Sequence, residues 1–207
     1  MEKGKFIVLE GIDGSGKSSQ IAPLVRRLEA LGIPCRADRE PTDRPVGRLI
    51  RQALRGETPL DPRVIAALYA ADRLDHLVNG ENGLCAAVDS GITVVSDRYY
   101  FSSYAYHSVD VDMDWVIGAN SLSAELIRPT LTVFLDVSAE EAMERIRANR
   151  DREELFERED RLRKTRKLYF QAFEWLSDEE NVAVIDGSGT FGQVEERIWA
   201  AVAPYFR

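Results

Sequence analysis

The stretch "EGIDGSGKSS", residues 10–19, follows directly on the apolar run Phe6-Ile7-Val8-Leu9. Three glycines, a lysine and three hydroxyls stand where a buried strand should end, and Gly11-x-x-x-x-Gly16-Lys17-Ser18 fits a phosphate-binding loop. In such a loop the glycines let successive backbone N–H groups turn inward around an anion. Lys17 would reach the β- and γ-phosphates, and the Ser18 hydroxyl would hold Mg²⁺. Ile21, Leu24, Val25, Leu28 and Leu31 recur at helical spacing, which predicts a helix from about Gly16 whose positive N-terminal end faces the same anion. The bland alternative is a glycine-rich turn with a solvated lysine; a strand before and an amphipathic helix after favour the loop. Gly11, Ile12, Asp13, Gly14, Ser15, Gly16, Lys17, Ser18 and Ser19 are therefore assigned to a nucleoside-triphosphate site.

The chain has 207 residues, enough for one α/β domain with a substantial core. Apolar residues make up 44% and charged residues 30%, the profile of a soluble globular protein. No apolar stretch approaches the roughly 20 residues that span a bilayer. Met1-Glu2-Lys3-Gly4-Lys5 runs straight into the first strand, so a cytoplasmic protein is expected. The net charge of −8 argues against nucleic acid or a membrane surface as partner. Cys35 and Cys85 form no CxxC pair, and His76 and His107 suggest no metal pair.

Four further β-like runs follow the first, near Pro34-Ala37, Ile92-Val95, Leu131-Leu135 and Val182-Ile185, with helical patterns between them. The expected fold is α/β, a parallel five-stranded sheet flanked by helices in three layers. Ligands in this architecture sit at the carboxyl ends of strands. Arg39-Glu40-Pro41 and Asp97-Arg98-Tyr99 stand at two such ends beside the loop. Asp136 stands at another, where Ser138-x-x-Glu141 reads as a capping box; that accounts for the corner and leaves Asp136 out of the site. Arg145, Arg147, Arg150 and Arg152 form a basic cluster before Glu153-Glu154-Leu155-Phe156-Glu157. It reads either as a solvated helix face laced with i,i+4 pairs or, beside a phosphate loop, as a mobile lid carrying positive charge to a transferring phosphoryl group.

Together "FIVLEGIDGSGKSS", "REPTDRPVGRLIRQAL", "LYAADRLDH", "VVSDRYYFSSYAY" and "FLDVSAEEAMERIRANRDREELFE" resemble the thymidylate kinases, phosphate-loop nucleoside monophosphate kinases that convert dTMP to dTDP with ATP. The resemblance implies an adenylate-kinase-like fold over residues 1–207, with a monophosphate-binding region at about 38–76 and an arginine-rich lid at about 145–157. It implies that Asp13 approaches the sugar 3′-hydroxyl, that Arg98 and Arg51 bind the acceptor phosphate, and that Asp97 organises Mg²⁺ together with Ser18. Tyr69 matches an aromatic that stacks on thymine, Arg73 a residue that hydrogen-bonds a base carbonyl, and Tyr106 an aromatic that crowds the sugar 2′ position. Glu40, Pro41 and Ser103 complete the acceptor set. Read from the residues alone, Tyr69 and Arg73, four apart on a helix, fit surface packing as well.

Lys17, Arg98, Arg147, Arg150 and Arg152 are the implied catalytic residues, with ATP and dTMP as substrates and Mg²⁺ as cofactor. Some relatives carry an arginine where this chain has Gly14. The lid must then supply the charge, and an arginine introduced at position 14 should restore activity to a lid-deficient variant if its side chain fits. Where many bacterial relatives have a glycine-rich turn, this chain reads Thr42-Asp43-Arg44-Pro45, and Ser103 stands where an amide is common. A homodimer is also implied, with Val64, Leu68 and Ala71 forming either an interface or part of the core. Two other readings are a kinase of this fold with a different acceptor and, more remotely, a nucleotide-gated switch.

Overall fold

Alternation along the first strand decides the layering. The structure, a computed structural model, describes residues 2–149 and 158–206. In β1 (Phe6–Glu10) successive side chains point to opposite faces of the sheet. Phe6 and Val8 enter one core; Ile7 and Leu9 enter the other. The same division splits Val94 from Val95 in the third strand, and Phe134 from Val133 and Leu135 in the fourth.

The remaining strands are β2 (Cys35–Arg39), β3 (Thr93–Asp97), β4 (Leu131–Asp136) and β5 (Val182–Asp186). All pair in parallel, in the order β2-β3-β1-β4-β5. On one face, α1 (Lys17–Ala30) and α10 (Phe191–Val202) cover the sheet with Ile21, Leu24, Leu28, Val194, Ile198 and Val202. On the other lie α4 (Leu84–Asp89), α5 (Tyr100–His107), α8 (Ala139–Asn149) and α9 (Glu159–Trp175), around an aromatic core that includes Tyr100, Phe101 and Tyr169. The expected three-layer α/β sheet is therefore present.

Strands β3 and β4 end one or two residues later than their apolar runs, because the backbone ladder continues through Asp97 and Asp136. The edge strands depart from the continuous apolar pattern. β2 reads Cys-Arg-Ala-Asp-Arg and β5 leaves Val184 exposed, as one open flank permits. β2 also lies slightly later than its predicted position, which brings Arg39 into register with Asp97.

Between β2 and β3 run α2 (Pro45–Leu54) and α3 (Pro62–Val78), each with proline in its first turn, where the missing N–H costs nothing. The Asp61 carboxylate caps α3 by accepting the Arg63 N–H at 2.9 Å. α3 buries Ile65, Ala66, Ala70 and Leu77, whereas Val64 and Ala71 are exposed and Leu68 is half-buried. Two short helices, α6 (Met113–Ala119) and α7 (Ser121–Leu126), pack beside α3. At the start of α8, Ser138 Oγ accepts the Glu141 N–H, but the Glu141 carboxylate turns to Arg145 instead of completing the box. Asp136 is held by Arg166 at 2.6 and 2.8 Å.

Candidate active site

At the carboxyl end of β1, positive φ angles at Gly11, Gly14 and Gly16 curl the loop toward the start of α1. Gly14 is required on two counts. Its φ is +81°, and a Cβ there would lie 2.3 Å from the Ala142 carbonyl oxygen on α8. The loop's inner end is anchored by Ile12, fully buried in the aromatic core. Lys17 is buried with its Nζ 3.7 Å from Asp13 Oδ1. Burial, and next the charge of Arg98, lower its pKa, against the pull of Asp97, Asp13 and Glu10.

Residues Asp13 to Ser19 line a cavity of about 550 Å³ whose far wall is Arg145, Ile146, Gly187, Phe191 and Val194. Gly11 and Ile12 lie behind it and support the loop without facing the cavity. A second cavity, of about 280 Å³, opens on the β2–β3 side. Of the acceptor residues expected from sequence, Asp13, Glu40, Pro41, Arg51, Tyr69, Arg98 and Tyr106 line it. Asp13 and Arg98 are common to both cavities.

Arg98 is the one non-glycine with positive φ among the described residues, at 75°. Its guanidinium pairs with Asp13, donates to Ser102 Oγ at 2.9 Å and lies 4.9 Å from the centre of the Tyr106 ring. Tyr106 Oη in turn accepts the Asp13 N–H at 2.8 Å, so the acceptor wall holds the phosphate loop directly. Arg51 donates to the Pro41 carbonyl at 2.9 Å and to Asp43 at 3.0 Å. The Tyr69 ring rests 4.7 Å from that of His107. Burial, reinforced by Arg73 and Arg161, drives the His107 pKa down to about 3 and keeps its ring neutral.

Arg73 and Ser103 do not line the acceptor cavity. Arg73 is buried beneath it, 1% exposed, and bonds to Glu40 at 2.8 Å, Ser103 Oγ at 3.0 Å and Asn120. The surface-packing alternative for Arg73 is thus excluded, while a direct role toward a base is not visible in its contacts. Glu40 also meets His76 at 3.1 Å, and the other His76 nitrogen meets Asp38 at 3.0 Å. Burial opposes charge on His76, but these two carboxylates lift its pKa to about 9.

Asp97 and Ser18 border one cleft, and Asp97 Oδ1 is buried with no hydrogen-bond partner among the described residues. An orphaned carboxylate oxygen beside a hydroxyl suits a hard divalent cation.

The thymidylate kinase family model matches residues 9–198. A probable thymidylate kinase from Pyrobaculum calidifontis is 37% identical over 95% of both chains. A thymidylate kinase from a Synechococcus strain is 34% identical over 96% of this chain and 94% of its own. A probable thymidylate kinase from Methanocaldococcus jannaschii is 35% identical over 90% and 88%. The chain belongs to the thymidylate kinase family.

In this thymidylate kinase fold, Arg147 is exposed near the end of α8; Arg150, Arg152 and the rest of segment 150–157 lie outside the described residues. Arg145, read from the sequence as part of the basic lid cluster but not among its catalytic arginines, contacts the loop. It donates to the Ser15 carbonyl at 3.1 Å, to Gly187 O at 3.1 Å and to Glu141. Gly187 and Phe191 have no place in the sequence reading, though Gly187 follows directly on β5 and the strand-end rule applies to it. Arg39 and Arg55 also line the acceptor cavity. Arg39 carries the same strand-end signal; Arg55 carries none.

Proposed function

We propose that the chain transfers the γ-phosphoryl group of ATP to the phosphate of dTMP, giving ADP and dTDP. The observation that carries this reading is the meeting of the two cavities at Asp13 and Arg98: a phosphate loop on one side, and an arginine-lined pocket with an aromatic wall on the other. A dTMP phosphate oxygen forms the new bond to the γ-phosphorus as the bond to the ADP oxygen breaks, in line. That oxygen is already ionised near neutral pH, so no carboxylate base is required. Lys17 and Arg98 hold the two phosphates and offset charge on the transferred group.

Arg147, Arg150 and Arg152, in a lid spanning about 145–157, would add charge from above and exclude water. The Tyr69 ring offers a face to thymine and Tyr106 closes the 2′ side of the sugar. Asp97 and Ser18 would hold Mg²⁺, which when bound neutralises donor phosphate charge. The acceptor region at about 38–76 and the lid would then serve one catalytic domain.

A homodimer is supported by the unburied stripe Val64, Leu68, Ala71 and Val78 along α3. No helix among the described residues is long and apolar enough to cross a membrane. A cytoplasmic setting follows from the nucleotide substrates.

The decisive test is ADP release with ATP, Mg²⁺ and a panel of dTMP, dUMP, UMP, CMP and AMP. The highest kcat/KM is expected for dTMP; faster turnover of another monophosphate overturns the acceptor assignment. Lys17→Met keeps most of the buried stem, so thermal stability should hold while kcat falls by about 10²–10³ or more.

A further inference from the structure

Glu10, the last residue of β1, is fully buried yet lines neither substrate cavity. Its Oε1 accepts the N–H groups of Tyr99 at 2.9 Å and Ser102 at 3.1 Å, which open α5. Its Oε2 accepts the Ser102 hydroxyl at 2.6 Å and the Tyr169 hydroxyl at 2.8 Å, the latter from the middle of α9. With its proton committed to Glu10, Ser102 Oγ is left as the acceptor for Arg98 Nη1 at 2.9 Å. The Arg98 N–H donates to the carbonyl of Leu9, one residue before Glu10, at 3.0 Å. The backbone from 98 to 102 is therefore wrapped around one carboxylate, and it includes the left-handed residue at 98. A conformation so sparsely populated persists only where its surroundings over-determine it.

We propose that Glu10 is a positioning residue for the acceptor-phosphate site: by capping α5 and orienting Ser102 Oγ it holds the Arg98 guanidinium at the junction of the two cavities, and through Tyr169 it ties that junction to the helix that follows the lid segment. Glu10 touches no substrate and acts through Arg98. Only the kinetic part of its test rests on the kinase reading.

Glu10→Gln preserves volume and the Oε1 acceptor but replaces Oε2 by an NH₂ group. Ser102 Oγ must then accept from residue 10 as well, in competition with Arg98. The expected result is a rise of at least tenfold in the KM for dTMP, with the KM for ATP and the thermal midpoint close to the parent values. Tyr169→Phe should move the dTMP KM in the same direction by a smaller factor. Independently of turnover, the Arg98 Nε–H resonance, assigned by its loss in Arg98→Lys, should shift and exchange faster with solvent in Glu10→Gln.

An unchanged Arg98 signal overturns the proposal, as does an equal rise in both KM values, which would indicate general loosening. If the parent protein does not phosphorylate dTMP, the functional reading falls and the Arg98 signal alone decides the positioning role. Should Glu10→Gln fail to fold, Ser102→Ala cuts the same link to Arg98 while leaving the Oε1 cap intact; because Ser102 also lines the acceptor cavity, the Arg98 signal and not the dTMP KM is the deciding readout in that variant.

Discussion

Tyr106 presents its ring to the acceptor cavity while its hydroxyl oxygen accepts the Asp13 N–H at 2.8 Å. The two roles separate by substitution. Tyr106→Phe loses a hydrogen bond worth about 1 kcal/mol but should keep the preference for deoxyribose. Tyr106→Ala removes the ring, and the kcat/KM ratio of dTMP to its ribose counterpart should fall by about tenfold. An unchanged ratio in a folded Ala variant removes Tyr106 from the sugar site. The loop itself constrains where catalytic charge can come from. A Cβ at residue 14 meets a backbone carbonyl oxygen at 2.3 Å with φ at +81°, so an arginine there is not accommodated, contrary to the expectation from relatives. Gly14→Arg should cost about 2 kcal/mol or more and restore nothing to a lid-deficient variant. Of Arg147→Ala, Arg150→Ala and Arg152→Ala, assayed at saturating ATP and dTMP, at least one should lower kcat by about 10³. If all three stay within a few-fold of the parent, the cluster is a solvated helix face.

Strand β2 and helix α3 are joined by a buried charge array rather than by apolar packing. Asp38 and Glu40 at the end of the strand face His76 and Arg73 on the helix. Asp72, one residue before Arg73, accepts the Thr42 N–H at 2.7 Å and its hydroxyl at 2.6 Å. The strand end and the following turn are thus fastened to α3 on both sides of the Glu40–Pro41 step that borders the acceptor cavity. The array predicts a pH dependence. His76 is raised from 6.5 to about 9 on folding, so its contribution is complete below about pH 6.5 and is lost as pH rises through 9. A gap of this size is worth on the order of 3 kcal/mol. Urea unfolding of the parent and His76→Gln should differ most at pH 6, with the difference narrowing by pH 9.5. A difference that does not change with pH means that His76 is neutral in the folded protein.

At the scale of the whole molecule, the order β2-β3-β1-β4-β5 places β1 at the centre, so the phosphate loop emerges with β3 on one flank and β4 on the other. The smaller cavity draws on the β2–β3 side and the larger on the β4–β5 side, so the two meet over one loop at Asp13 and Arg98. α3 contributes Tyr69 to the site and carries the apolar stripe on its unburied side. If that stripe is the interface of a dimer, Leu68→Glu should yield a monomer in sedimentation equilibrium with the secondary structure intact. A parent that already sediments at 23.3 kDa rules the dimer out.

Local pattern was enough to reveal the loop, the five strands and the residues at their carboxyl ends. Each of these records a requirement of the backbone within a few neighbours: glycine where φ is positive, apolar runs where a strand is covered on both faces, polar side chains where the cover stops. The partners of the buried charges were not legible in this way. Arg73 finds Glu40 at a distance of 33 residues, Arg145 finds the loop carbonyls 130 residues away, and Tyr169 finds Glu10 across 159. Spacing alone left surface packing open for Arg73 and left Glu10 unremarked as the end of a strand. The sequence by itself determined that a phosphate loop closes a central parallel strand. Only the tertiary structure decided which charges that loop is held by, because a buried ion is stable only beside a specific partner, and folding brings such partners together from distant parts of the chain.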